Sequence, residues 1–122
     1  WTYETTTFSN AEILSIDHVG TWIQKLDAEG VEYVTGARRS TSRLAQYMLT
    51  NGSFPVPIIV ARDAGHVVHP RSGGELMKEP FQLIEGHCRL ACLRGMINSK
   101  HPNLGTNHKV CLVAIPHVVP EA

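Results

Sequence analysis

Residues 81–94 read Phe-Gln-Leu-Ile-Glu-Gly-His-Cys-Arg-Leu-Ala-Cys-Leu-Arg. The first four residues are typical of the end of a strand, and the residues from His87 onward predict a helix to about Asn98. Gly86 stands between them and allows a close approach of the backbone. The first amides of the helix have no carbonyl partner within it and lie at its positive end. The stretch therefore predicts a site for a phosphate-sized anion.

The composition narrows the class of protein. The length of 122 residues predicts one domain, large enough to bury a hydrophobic core. The formal net charge is zero, so no overall field favours nucleic acid or an anionic membrane. There is no run of about 18 apolar residues, and we expect no membrane span. The cysteine count is odd, at three, which predicts a reduced, cytoplasmic protein without disulfides.

The first part of the chain predicts an arm followed by a helix. Residues 1–8 are rich in threonine but show no clear alternation of apolar and polar residues, so we predict an arm. Ser9 and Asn10 are good helix N-caps, and apolar residues recur after them at helical spacing up to Gly30. This pattern predicts an amphipathic helix with an interruption near Gly20. The short run over 31–35 that follows is typical of a strand.

The remaining elements are predicted from apolar runs and turn residues. In chain order they are a helix over 43–50 that stops at Asn51-Gly52, a buried strand over 58–61, a turn over 63–65, the returning strand of a hairpin over 66–69, a surface loop over 71–78 and a last strand over 110–115.

The turn at Gly86 carries the residues with the clearest chemical roles. Glu85 could hold a magnesium ion or orient a water molecule, and His87 could donate or accept a proton near neutral pH. Arg89 would act with the helix amides to neutralise a phosphate. The alternative is a strand-to-helix corner whose charged side chains are only solvated.

Two further groups of residues are candidates for the same site. Cys88 lies at a helix start among basic neighbours, an environment that favours a reactive thiolate, but packing is the preferred role for Cys88, Cys92 and Cys111. Arg38 and Arg39 precede a helix and could reach a phosphate, although such clusters usually form a solvated face. The histidines show no HExxH pattern, the cysteines show no CxxC pattern, and structural zinc is disfavoured.

The order of these elements resembles the ParB/sulfiredoxin superfamily. The resemblance covers about residues 40–115 and rests on three stretches: a helix that ends in an Asn-Gly turn over 44–52, a Pro-Ile-Ile-Val strand over 57–60, and a strand that runs into a Gly-x-x-Arg helix over 81–91. It implies an α+β fold in which a small mixed sheet is packed with helices. The residues before this stretch predict an N-terminal helical extension. Residues 1–36 would be that arm and helix within the same unit, and residues 37–122 the ParB/sulfiredoxin-like domain.

The branches of the superfamily differ at the motif. ParB proteins bind and hydrolyse CTP with Gly-Glu-Arg-Arg, of which Gly86 and Arg89 match here. Free-serine kinases carry Asp-Gly-His-His-Arg, and Glu85 to Arg89 is similar to it in four places if the glutamate replaces the aspartate. Sulfiredoxin carries its catalytic cysteine directly after the glycine, where this chain has His87, so reductase activity is not expected.

The resemblance implies a domain that binds a nucleotide and hydrolyses or transfers its phosphate. Gly86, His87, Cys88, Arg89, Arg38 and Arg39 would bind ATP, ADP or CTP; Glu85 and His87 would be catalytic, and Glu85 would hold Mg²⁺. Two alternatives stay open, a non-catalytic interaction module that keeps the fold and a magnesium-dependent DNA nuclease like some plasmid-borne relatives. The net charge does not support DNA binding, and a homodimer stays open.

Overall fold

The protein has an α+β fold, as expected, in a computed structural model that describes residues 2–69 and 73–116. In these two ranges the elements are β1 (Thr2–Ser9), α1 (Asn10–Leu14), β2 (Ile16–Asp17), α2 (Trp22–Val34), α3 (Arg38–Thr41), α4 (Arg43–Asn51), β3 (Ile58–Arg62), β4 (Phe81–Glu85), α5 (His87–Asn98) and β5 (Asn107–Ala114).

The strands form one mixed sheet in the order β1-β5-β3-β4-β2. The central strand β3 runs parallel to β5 and antiparallel to β4, and β1 lies antiparallel to β5 at one edge. At the other edge, the two residues of β2 lie parallel to β4. Because the carboxyl ends of parallel neighbours meet at the same edge, the residues that follow β2 and β4 lie close together.

Helix α5 lies in the core and packs closely against α2. Its buried residues include Leu90, Leu93 and Met96. The contact with α2 is made through Gly30 and Gly95, where a Cβ on Gly30 would lie 2.4 Å from the carbonyl oxygen of Ala91. The two helix backbones can approach this closely only because both positions lack a side chain.

A second, smaller core lies on the other face of the sheet. Successive residues of a strand point to opposite faces, and Val60 and Leu83 belong to the main core. Ala61 and Ile84 belong instead to the smaller cluster, together with Met77. The segment between β3 and β4 therefore covers the face of the sheet that the helices leave open.

The N-terminal part differs from expectation in three places. The predicted arm is β1, an edge strand paired with β5 along its whole length. The predicted helix is interrupted as expected, but over a longer stretch, because β2 and the turn at Gly20 separate α1 from α2. The strand predicted over 31–35 is wrong, since these residues continue α2 and its C-cap, where Tyr33 and Val34 are buried.

The predicted hairpin after β3 is also wrong. The antiparallel partner of β3 is β4, whose apolar residues contribute to both cores. Among the described residues, the segment 66–69 forms one isolated bridge, between Val68 and Leu76. The predicted loop over 71–78 lies partly outside the described residues.

The other predicted elements are confirmed. Helix α4 begins with Ser42, whose Oγ accepts a hydrogen bond from the amide of Ala45 at 3.2 Å, and it ends at Gly52 in the left-handed region. Strand β3, the β4–α5 unit and the last strand lie where the sequence predicts them. In the described part of the chain, no helix has the combination of length and apolar character needed to cross a lipid bilayer.

Candidate functional site

The turn between β4 and α5 needs a glycine. Gly86 has a φ of 106°, in the region that side chains rarely adopt, and an added Cβ would lie 2.6 Å from Cγ2 of Ile58. Its carbonyl accepts the amide of Leu90 at 2.8 Å, which closes the first turn of α5. The amides at the start of a helix have no intrahelical acceptor, so this turn is suited to an anion.

A cleft of about 820 Å³ opens beside this turn. Its walls come from the β2–α2 junction, the segment that precedes β4, and the end of β4 with the start of α5. The lining residues are His18, Val19, Trp22, Val67, Val68, His69, Met77, Ile84, Glu85 and His87. This volume falls in the range of about 300–1,000 Å³ that small-molecule sites occupy, and the walls are mostly apolar with a few polar groups.

Three histidines meet in this cleft. His18 directly follows β2 and His87 follows the turn after β4, so the parallel pairing of these strands brings the two together. Their Nε2 atoms lie 2.9 Å apart. The ring of His69 lies 5.3 Å from that of His18, centre to centre, and Trp22 stacks on His18 at 5.7 Å.

His18 is held in a neutral form. Its side chain is buried, and its Nδ1 lies 2.9 Å from both the amide of Val19 and Nε2 of Gln82. Burial and, to a smaller extent, the neighbouring His87 and His69 lower the pKa of His18 from 6.5 to about 4, although Asp17 raises it.

Glu85 stands at the rim of the cleft with its side chain 67% exposed. The distance of 3.8 Å to Nη2 of Arg89 makes a weak surface ion pair. Within residues 2–69 and 73–116, no group of three or more histidine, cysteine, aspartate or glutamate side chains could hold a metal ion. A Mg²⁺ at Glu85 would therefore take most of its oxygen ligands from phosphates and water, as Mg²⁺ commonly does.

The structure gives Arg89 other partners besides Glu85. Its Nη1 donates to the carbonyl oxygens of Val56 and Pro57, at 3.0 and 2.9 Å. Arg89 thus ties the segment before β3 to the first turn of α5.

Cys88 and Arg38 belong to a separate group around Tyr33. The Cys88 side chain is exposed, so the packing role expected for this cysteine is wrong. Desolvation first, and then Cys88, raise the pKa of Tyr33. Arg38 lies over the Tyr33 ring at 5.3 Å and is within 3.4 Å of its hydroxyl. Arg39, in α3, is exposed.

The other two cysteines differ from Cys88. Cys92 is buried in α5, and desolvation raises the pKa of its thiol to about 11. This confirms the packing role expected for it. Cys111 is partly buried in β5.

The structure thus brings Glu85 and His87 into one cleft and adds residues that the sequence analysis missed: His18, Trp22, His69 and Gln82. His18 and His87 are 69 positions apart, and only the pairing of β2 with β4 joins them. A usable signal was the polar Asp17-His18 pair between a short apolar stretch and a helix, at a position where strands of α/β sheets commonly carry functional residues.

Comparisons of the chain with protein-family models, curated proteins and solved structures gave no significant match. The likeness to the ParB/sulfiredoxin superfamily therefore stays a resemblance of motifs and of element order.

Proposed function

We propose that the cleft beside the β4–α5 turn binds a nucleoside di- or triphosphate with Mg²⁺, such as ATP, ADP or CTP, and that the protein hydrolyses or transfers a phosphate of this nucleotide. The observation that carries the proposal is the position of the cleft. Glu85 and His87, at the turn where the sequence predicts an anion site, line the cleft.

The apolar lining of the cleft suits a nucleobase. Trp22 is 45% exposed and lines the same cleft as Val67 and Met77, with its ring centre 6.4 Å from that of His87. Stacking of a base on an aromatic side chain contributes about 1–3 kcal/mol and does not depend on which base is present. This property fits a site whose preferred nucleotide the motif leaves open.

The part of the cleft beside the β4–α5 turn suits the phosphates. The amides of His87 and Cys88 begin α5, a helix of 12 residues whose dipole favours negative charge at this end. Glu85 would hold the Mg²⁺ that neutralises the phosphates or would orient an attacking water.

The arginines have supporting roles in this proposal. Arg89 would fix the turn and the position of Glu85 through its bonds to the carbonyls of Val56 and Pro57. Arg38 and Arg39 would add positive charge on the Tyr33 side of the turn.

Titration calorimetry with ATP, ADP and CTP in Mg²⁺ tests the proposal. The Trp22→Ala variant should lose about tenfold or more in affinity, given the stacking energy above. Tyr47→Ala is a matched control, because Tyr47 is also 45% exposed but lies on α4 outside the cleft. Equal affinity of both variants, or no binding by the unmodified chain, would refute the proposed site.

Two activity assays separate the alternatives. Binding without release of phosphate over long incubation would favour a non-catalytic module, and phosphate release that Glu85→Gln abolishes would favour the enzyme. Cleavage of supercoiled plasmid in Mg²⁺ by the unmodified chain, but not by Glu85→Gln, would identify a nuclease.

We propose the cytoplasm as the compartment, where magnesium nucleotides are present and unpaired cysteines stay reduced.

A further inference from the structure

Main-chain groups fix the orientation of the Gln82 side chain, which is fully buried on β4. Its Oε1 accepts the amide of Lys78 at 2.9 Å, and its Nε2 donates to the carbonyl of Leu83 at 2.9 Å. A main-chain amide can only donate and a carbonyl can only accept, so the oxygen and nitrogen of Gln82 cannot be exchanged. The second hydrogen of Nε2 is therefore donated to Nδ1 of His18, 2.9 Å away.

The proton of His18 is fixed in turn. Its Nδ1 also accepts the amide of Val19 at 2.9 Å, so two donors point at this nitrogen and it carries no hydrogen. A neutral imidazole then has its hydrogen on Nε2. That nitrogen lies 2.9 Å from Nε2 of His87. His18 must donate in this bond, and Nε2 of His87 must accept.

We propose that Gln82 and His18 are positioning residues that hold His87 as its Nδ1–H tautomer, so that His87 meets an anionic ligand of the cleft as a hydrogen-bond donor and not as a base. The lone pair of Nε2 is already occupied by the N–H of His18. The proton of the neutral ring is on Nδ1, and a donor there suits a phosphate oxygen.

Burial makes this arrangement rigid. His18 is 3% exposed and Gln82 is 0% exposed, so water does not compete for their hydrogen bonds. The chain of bonds begins at two main-chain groups and ends at the first residue of α5. With His87 held as a donor, Glu85 is the group that would activate a nucleophile. This consequence rests on the proposed function, whereas the tautomer of His87 does not.

Nitrogen-15 NMR of the histidine rings in the full, unmodified chain at pH 7 tests the tautomer directly. The expected spectrum gives a pyridine-type Nε2 and a pyrrole-type Nδ1 for His87, and the reverse for His18. A pyrrole-type Nε2 on His87, or averaging between tautomers, would overturn the proposal. No variant has to fold for this result.

The His18→Phe variant tests the cause. The ring keeps its size, but without the donor His87 should shift toward the Nε2–H tautomer that histidine side chains prefer in water. His101→Gln, which removes a histidine elsewhere, should leave the His87 signals unchanged. Retention of the Nδ1–H tautomer in His18→Phe would show that His18 does not set it.

The donor role is tested by two substitutions at His87, measured as affinity for ADP with Mg²⁺. In His87→Asn the amide nitrogen of the new side chain takes about the place of Nδ1 of the ring. In His87→Gln it takes about the place of Nε2. His87→Asn should therefore keep the affinity within about threefold, while His87→Gln should lose about tenfold, as expected for a hydrogen bond to a charged group. The opposite order would refute the donor role. If the unmodified chain binds no nucleotide, the proposed function fails, and the NMR spectrum still decides the tautomer.

Discussion

Acid should destabilise the protein through His18. In the folded state its pKa is lowered from 6.5 to about 4, whereas in the unfolded chain it returns to its ordinary value. The unfolded state therefore binds a proton first as the pH falls. Above pH 6.5 the His18 ring is neutral in the folded and in the unfolded state, so it adds no pH dependence to the stability. Stability is lost as the pH falls from 6.5 to about 4, and below that the loss due to His18 is complete.

The size of the effect follows from the difference in pKa. A difference of about 2.5 corresponds to about 3 kcal/mol, because one pH unit is worth about 1.4 kcal/mol. His18 is almost fully buried, so solvent screening does not reduce this value greatly. His108 is also buried with a lowered pKa and adds a loss in the same direction, so the total for the protein exceeds the part due to His18.

Urea unfolding at pH 7 and at pH 4.5 measures the effect. His18→Phe leaves buried donors on Gln82 and Val19 unpaired and should cost about 1–3 kcal/mol at pH 7. Its further loss on acidification should be about 2 kcal/mol smaller than that of the unmodified chain, since the titrating ring is gone. His101→Gln is the control and should follow the unmodified chain. The same acid loss in His18→Phe as in the unmodified chain would refute the reasoning.

Three further predictions concern the framework of the site. Gly95→Ala should lower the free energy of unfolding by about 1–3 kcal/mol in urea, because its Cβ would lie 2.6 Å from the carbonyl of Gly30; an unchanged value would contradict the close helix packing. Gly86→Ala should cost at least as much, since strain at a φ of 106° is added to a contact with Ile58, and unchanged stability would mean that the turn is shaped differently. A thiol reagent at pH 8 should label Cys88 quickly and Cys92 only on unfolding, because the pKa of Cys92 is raised to about 11, and early labelling of Cys92 would contradict its burial.

The parts of the fold that depend on local sequence could be predicted. Three signals determine the structure of only the few residues next to them: the cap at Ser42, the left-handed Gly52 and the apolar run that stops at Gly86. Helix α4, the β4–α5 unit and two residues of the cleft, Glu85 and His87, could therefore be predicted from the sequence.

The parts of the fold that depend on pairing between residues far apart in the sequence could not be predicted. Strand β1 is polar and mostly exposed, and nothing in its own pattern reveals that β5 is its partner. The turn over 63–65 and the run over 66–69 predict a hairpin with β3. The partner of β3 is instead β4, which buries apolar residues on both faces of the sheet. For the same reason His18 was missed, since only the two-residue strand β2 brings it to His87.

Amide NMR shifts on addition of ADP and Mg²⁺ test the central claim most directly. If the cleft binds the nucleotide with its phosphates at the start of α5, the largest shifts will be those of the Gly86, His87 and Cys88 amides and of the Trp22 indole. An absence of shifts, or shifts confined to a surface away from the β4–α5 turn such as the exposed face of α4, would contradict it.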